Sequence, residues 1–187
     1  MTGQLVGRKL AFLVANEGVE QAELTEPWQA VEDEGGSPVL VALDDGKVQA
    51  FNHVDKGDTF SVDQTVAASD VEDFYGLVLP GGVVNADEVR ADEKAVAFVR
   101  AFFDTGRPVA VICHGGWAIV EADRARGRTM TSWSSLQTDI RNAGGNWVDK
   151  EVQVCSEGPN ILVSSRKPDD LPAFNAEMIR AFAAGRS

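Results

Sequence analysis

The chain has 187 residues, 44% of them hydrophobic and 25% charged, with a formal net charge of −12 at pH 7. Those proportions belong to an ordinary globular chain and exclude a disordered or low-complexity one. The acidic balance, with no Lys/Arg-rich run to offset it, repels phosphate backbones and anionic membranes, so neither nucleic acid nor a membrane is an expected partner.

Length suits one compact domain over residues 1–187 with a single sizeable core. Met1 to Lys9 is polar and lacks the signature of a secretory leader. No apolar run approaches the roughly 20 residues of a membrane helix. The two cysteines, Cys113 and Cys155, are far apart and form neither a disulfide framework nor a metal-like spacing. A reducing cytoplasm is the expected compartment.

In chain order, Lys9 to Ala15 is an almost continuous apolar run, as expected of a strand buried on both faces of a parallel sheet. Glu23 to Glu34 reads as a helix with Leu24, Trp28 and Val31 inward. Pro27 places its regular start near that residue, because proline disrupts a helix beyond the first turn. Gly35-Gly36 ends it, and Val39 to Leu43 is the next buried strand. Lys47 to Val66 reads as a polar excursion with short extended pieces. Leu77 to Leu79 returns to the sheet and runs into Pro80-Gly81-Gly82.

Asp92 to Asp104 is the clearest helix, capped by Asp92 and stopped by Gly106 and Pro108, with Ala95, Val96, Val99, Phe102 and Phe103 on one face. Val109 to Ile112 is a fourth buried strand, followed by Cys113-His114-Gly115-Gly116 and a short helix over Trp117 to Glu121. Thr129 to Thr131 and Val148 to Cys155 read as edge strands around a helix near Leu136 to Asn142. Ile161 to Val163 is a late strand, and Leu171 to Ala184 a final helix. Strands alternating with helices predict an α/β fold: a doubly wound, mainly parallel sheet with helices on both faces, flavodoxin-like.

In such sheets ligands sit beyond the carboxyl ends of the strands. Three features fall there: the loop after Ala15, the Pro80-Gly81-Gly82 turn, and Cys113-His114. A strand, then a nucleophilic residue, then glycines opening a helix resembles a nucleophile elbow. The helix N-terminus is expected to favour a thiolate at Cys113 and lower its pKa. A free cysteine at a strand end is also an ordinary small buried residue. His114 acts as base or orienter only if its ring swings back towards the thiol. Glu17, Glu20 and Glu23 suit a solvated helix start, though a carboxyl held against Cys113 would share a proton with it. Gly81 and Gly82 suit bare backbone N–H groups facing an oxyanion, or a plain tight turn. His53 reads as a surface loop residue, Cys155 as a bystander, and two histidines leave no zinc set.

These stretches together resemble the DJ-one/PfpI superfamily, particularly its intracellular protease I-like branch. The resemblance rests on Ala15-Asn16-Glu17 through Glu23 and Pro27, on Leu79-Pro80-Gly81-Gly82, and on Asp92-Glu93-Lys94-Ala95-Val96. It continues through Pro108 to Gly115, Arg126-Gly127-Arg128, Asn142-Ala143-Gly144, Trp147-Val148-Asp149 and Ser165 to Leu171.

The resemblance implies a class I glutamine amidotransferase-like fold. It makes Cys113 the elbow cysteine, His114 the neighbouring histidine, Glu23 the acid that contacts the thiol, and Glu20 a second acidic position. It makes Gly81 and Gly82 the turn whose amide faces the sulfur, and Trp133 a residue beside the site. Asp87 lies near the position of a glutamate supplied by a neighbouring subunit, and is one carbon shorter. Gly116 stands where a proline commonly follows. Both departures count against a peptidase.

The implied function is a cysteine-dependent stress-response protein whose thiol acts on carbonyl electrophiles, as a peptidase-, deglycase- or glyoxalase-like hydrolase. The alternative is a non-enzymatic oxidative-stress protein in which Cys113 is oxidised to a sulfinate. No metal or organic cofactor is implied. The implied partners are a small-molecule or peptide substrate and further copies of the chain, as a homodimer or larger.

Overall fold

The computed structural model describes residues 3–185. The run after Arg8 forms β1 (Lys9–Val14), followed by β2 (Glu17–Glu20), helix α1 (Gln21–Asp33) and β3 (Ser37–Ala42). Next come β4 (Lys47–Asn52), β5 (Asp55–Ser61), β6 (Gln64–Thr65) and β7 (Gly76–Leu79). Helices α2 (Val83–Ala91) and α3 (Glu93–Asp104) lead to β8 (Val109–Ile112) and α4 (Gly116–Glu121). The chain then forms β9 (Thr129–Met130), α5 (Gln137–Asn142), β10 (Asn146–Trp147), β11 (Val152–Cys155), β12 (Leu162–Ser165) and α6 (Leu171–Ala184).

Seven strands make the main sheet in the order β11-β12-β8-β7-β1-β3-β6. Every pairing is parallel except β11 with β12. The strands β1, β7 and β8 are covered on both faces, which is why they read as unbroken apolar runs. Alternation along β1 splits the core. Ala11 and Leu13 pack with Val89, Phe98, Phe102 and Ile119 from α2, α3 and α4. Leu10, Phe12 and Val14 pack with Leu24 and Val31 of α1 and Phe174, Met178 and Phe182 of α6. The expected doubly wound architecture is therefore present, and it directs the ends of β1, β7 and β8 to one rim.

Three elements differ from the sequence-based expectation. Helix α1 begins at Gln21, so Pro27 lies inside it. Proline there removes the N–H that would bond the Glu23 carbonyl, yet burial of Glu23, Leu24, Pro27 and Val31 holds the segment helical. Helix α2 was not expected, because its buried face carries Asn85 along with Ala86 and Val89 and so shows no clear apolar period. The polar excursion supplies β4 and β5, which join β2 in a second sheet of three strands, β2-β4-β5, with Val48 and Ala50 buried.

Asp92 caps α3 by accepting from the Ala95 N–H at 2.7 Å, as its position before the apolar face implied. Phe102 on this helix has no exposed surface. Phe102→Ala is expected to destabilise the fold by about 3–5 kcal/mol, read as a lower urea midpoint at unchanged slope.

Candidate active site

β8 delivers the chain to Cys113, whose φ is +60°. A left-handed non-glycine residue is strained, by about 1–3 kcal/mol, and persists only where its surroundings determine it. The Trp133 N–H bonds the Cys113 carbonyl at 3.2 Å, and a single helical turn, Cys113–Gly115, leads directly into α4. Gly116, at the start of α4, takes ordinary helical angles (φ −56°, ψ −23°), so the missing proline leaves the elbow well formed.

The Cys113 sulfur lies 3.2 Å from Nδ1 of His114. The ring of His114 does swing back to the thiol, held between Trp117 (centroids 5.3 Å, tilt 63°) and Trp133 (5.7 Å, 27°). Burial lowers its pKa, which keeps the imidazole neutral and able to accept a proton.

Glu23 sits in the first turn of α1 with no exposed surface. Its Oε2 accepts from the Gly81 N–H at 2.8 Å. Burial pushes its carboxyl up to about 8; contact with the Cys113 thiol and the Gly81 N–H oppose the rise, and the Glu20 charge adds to it. Burial also pushes the Cys113 thiol up, then the Glu23 carboxylate does; the His114 and Gly82 amides pull it back. The expected net lowering by the helix N-terminus does not occur, since α4 has six residues and cannot offset desolvation. Glu23 and Cys113 are thus a coupled pair in which double ionisation is strongly disfavoured.

Gly81 is the wedge between them. A Cβ there would lie 2.2 Å from Glu23 Oε2 and 2.6 Å from the Cys113 Cβ, so no side chain fits. Gly82 has φ +91° and caps α2, and a Cβ on it would meet the Gly18 carbonyl oxygen at 2.1 Å. Asn85 fixes this turn. Its Nδ2 donates to the Pro80 and Gly81 carbonyls at 3.2 and 2.9 Å, while its Oδ1 accepts from the Ala15 N–H at 2.7 Å. Nothing in the sequence marks that residue beyond its place three positions after the glycine pair.

A cavity of about 560 Å³ opens on this group, lined by Glu17, Glu20, Glu23, His53, Gly82, Cys113, His114 and Trp133 among others. Glu20 precedes α1 and accepts from the His53 N–H at 3.1 Å. His53 and Phe51 reach the cavity from the β4–β5 hairpin, a placement the sequence did not suggest. Asp87 is exposed on α2 and does not line it, so within one chain it is apart from the thiol. Cys155 is buried on β11, 3.3 Å from Arg128 Nε, and is also not part of the cavity. Among the described residues, no group of three or more His, Cys, Asp or Glu is placed to hold a metal ion.

A doubly wound sheet with a strained cysteine after its central strands, and a buried acid against it, defines a cysteine-elbow α/β protein. The chain belongs to the DJ-1/PfpI family, whose pattern matches residues 8–181. It is 39% identical to General stress protein 18 of Bacillus subtilis, over 93% of this chain and 97% of that protein. It is 35% identical to Protein/nucleic acid deglycase 2 of Escherichia coli (96% and 100%) and 37% identical to Deglycase PfpI of Pyrococcus furiosus (92% and 98%). Among solved structures, a two-domain protein from Anabaena variabilis with DJ-1/ThiJ/PfpI-like and ferritin-like domains superposes with a TM-score of 0.84 at 27% identity. That match covers 92% of this chain and 47% of the other.

Two measurements probe the pair. Between pH 4.5 and about 8 native Glu23 holds a proton that the unfolded chain releases, so this group's contribution to stability falls as pH rises through that window. Glu23→Gln is expected to remove that fall, on the order of a few kcal/mol, in denaturant midpoints taken across the window. Gly81→Ala is expected to displace the sulfur and slow alkylation of Cys113 by at least about tenfold, a rate loss of the size that small misplacements of reacting groups produce.

Proposed function

We propose that the protein is a cysteine-dependent hydrolase of the deglycase- or peptidase-like kind, in which Cys113 adds to a carbonyl electrophile. The observation that carries this is the 3.2 Å approach of neutral His114 Nδ1 to a sulfur held at a strained elbow. In the step common to such reactions, sulfur bonds to the carbonyl carbon and the thiol proton passes to Nδ1. The carbonyl electrons move onto oxygen, beside the Gly82 amide that already faces the sulfur. His114 later returns its proton to the departing group. Glu23, protonated through most of the neutral range, presents the sulfur with a neutral acid rather than a second negative charge. The relatives named as deglycases and as a stress protein support this reading of the site.

A redox role is the second reading, favoured by the same neutral acid and amides, which suit a sulfinate on Cys113. We place the protein in the cytoplasm; no described helix is long and apolar enough to cross a membrane. We take it to act as a homodimer or larger assembly on a small-molecule or peptide substrate.

Wild type and Cys113→Ser are to be incubated with methylglyoxal, a fluorogenic peptide and graded peroxide, following turnover and intact mass. The expected result is multiple turnovers that fall by at least about 10³-fold in the variant. Stoichiometric oxygen addition without turnover would replace the hydrolase with the redox reading. Identical behaviour of the two proteins would overturn both.

A further inference from the structure

The hairpin of β4 and β5 has a pinned root and a free tip. At the root, Gln21 Oε1 accepts from the Asp58 N–H at 2.7 Å and its Nε2 donates to the Asp58 carboxylate at 2.8 Å. Gln49 donates to the Gly57 carbonyl at 2.9 Å. The pairing of β4 with β5 then shifts register between Gln49 and Phe51, a bulge of the kind that bends a strand beside a site. Beyond it the chain turns through His53 and Val54, between the paired Asn52 and Asp55. Every residue from Asn52 to Lys56 is exposed, and Val54 keeps 86% of its surface in water, so no apolar packing holds the tip. Phe51, His53 and Val54 nonetheless line the Cys113 cavity.

Among the described residues, the tip makes one side-chain hydrogen bond to the rest of the chain: the His53 N–H donates to Glu20 Oε2 at 3.1 Å. The exposed His53 ring lies 4.0 Å from the same carboxylate, whose side chain is only 13% exposed. His53 takes φ +59°, a left-handed angle that a two-residue hairpin turn needs and that glycine ordinarily supplies. A residue with a side chain is strained there and persists only where its surroundings hold it, here through the Glu20 carboxylate. Glu20 is itself anchored at its other end, its N–H donating to the Gly81 carbonyl at 3.3 Å. One residue therefore joins the hairpin tip to the turn that separates acid from thiol.

We propose that residues 52–56 form a flap over the Cys113 cavity, and that Glu20 is the positioning residue that latches it through the His53 N–H. With the latch made, the tip walls the cavity and shields it from water. With the latch broken, the tip swings away on the bulge and the strain at His53 is released. One hydrogen bond to a charged acceptor is strong enough to favour the closed form and weak enough to open for each passage of a ligand. The flap regulates access to Cys113, and it rests on the reading of that thiol as the attacking group only for the use to which access is put.

The test reads latch and access separately and needs no turnover. Hydrogen exchange at the residue 53 amide is followed by NMR in the intact wild type, Glu20→Ala and Glu20→Gln. Cys113 is alkylated with N-methylmaleimide or the bulky N-(1-pyrenyl)maleimide. In each case the sulfur, its proton lost to solvent, adds to one alkene carbon, and the other takes a proton from water. Rates are assigned to Cys113 by peptide mass, with Cys113→Ser as blank, and each is divided by the rate with 2-mercaptoethanol. Glu20 also helps to raise Glu23, and the pyrenyl-to-methyl quotient cancels any resulting change in the sulfur.

The wild-type His53 amide is expected to exchange at least about tenfold more slowly than in an unfolded chain, the factor that a hydrogen bond to a charged group supplies. Glu20→Ala should abolish that protection and raise the quotient at least about fivefold, because the closed form no longer predominates. Glu20→Gln, whose amide oxygen accepts the same bond without the charge, should fall between the two. An unprotected wild-type amide overturns the proposal, as does a Glu20→Ala protein with protection or quotient unmoved. A Glu20→Gln protein as open as Glu20→Ala assigns the effect to charge and overturns it too. Should either variant fail to fold, the wild-type amide still decides. Gating without hydrolytic turnover leaves the flap standing and removes the hydrolase; turnover with an unmoved quotient does the reverse.

Discussion

Glu23 and Cys113 are two acids buried against each other with one glycine between them, and that burial sets the requirements on everything around it. Two ionised groups in so dry a place would repel strongly, so the carboxyl keeps its proton and the thiol is reluctant to lose its own. The pair survives because backbone amides face it: Gly81 bonds the carboxyl, and the His114 and Gly82 amides face the sulfur. Those amides are available only because Gly81 has no side chain to push the two groups apart.

The fold supplies this arrangement by bringing three distant segments to one rim of a parallel sheet. Glu23 comes from α1, reached from β1 through β2; Gly81 and Gly82 come from the turn after β7, and Cys113 from the end of β8. β7 lies between β1 and β8, so the turn is physically between acid and thiol. Asn85 then ties the first of these segments to the second, bonding Ala15, Pro80 and Gly81 with one side chain. The strain at Cys113 is held in the same way, by a tight turn on one side and the Trp133 N–H on the other.

Activation of the thiol therefore does not come from a lowered resting pKa. In the proposed reaction, the histidine at hydrogen-bond range takes the proton as the sulfur attacks, and the neutral acid spares the site a second negative charge. The second sheet closes the other side of the site, carrying Phe51 and His53 over the cavity beside an acidic mouth.

The buried strands, the amphipathic helices α3 and α6, and the cysteine elbow were legible in the sequence, because each is dictated by local pattern: unbroken apolar runs, a 3.6-residue period, glycines after a nucleophile. The acidic loop and the Gly81-Gly82 turn were legible as candidates, and as site residues through family resemblance. The start of α1 ahead of Pro27, the helix α2 with a polar inner face, and the roles of Asn85 and His53 were not, since each depends on contacts between segments far apart in the chain. The direction of the Cys113 shift was misread for the same reason: a short helix suggests a lowered pKa, and only the packed site shows how much water has been excluded. The sequence by itself determined the order of the candidate residues along the chain and that the Cys113, Gly81-Gly82 and acidic-loop segments follow buried strands. Tertiary structure decided which of them touch and which keep their protons, because desolvation and distance exist only once the sheet is assembled.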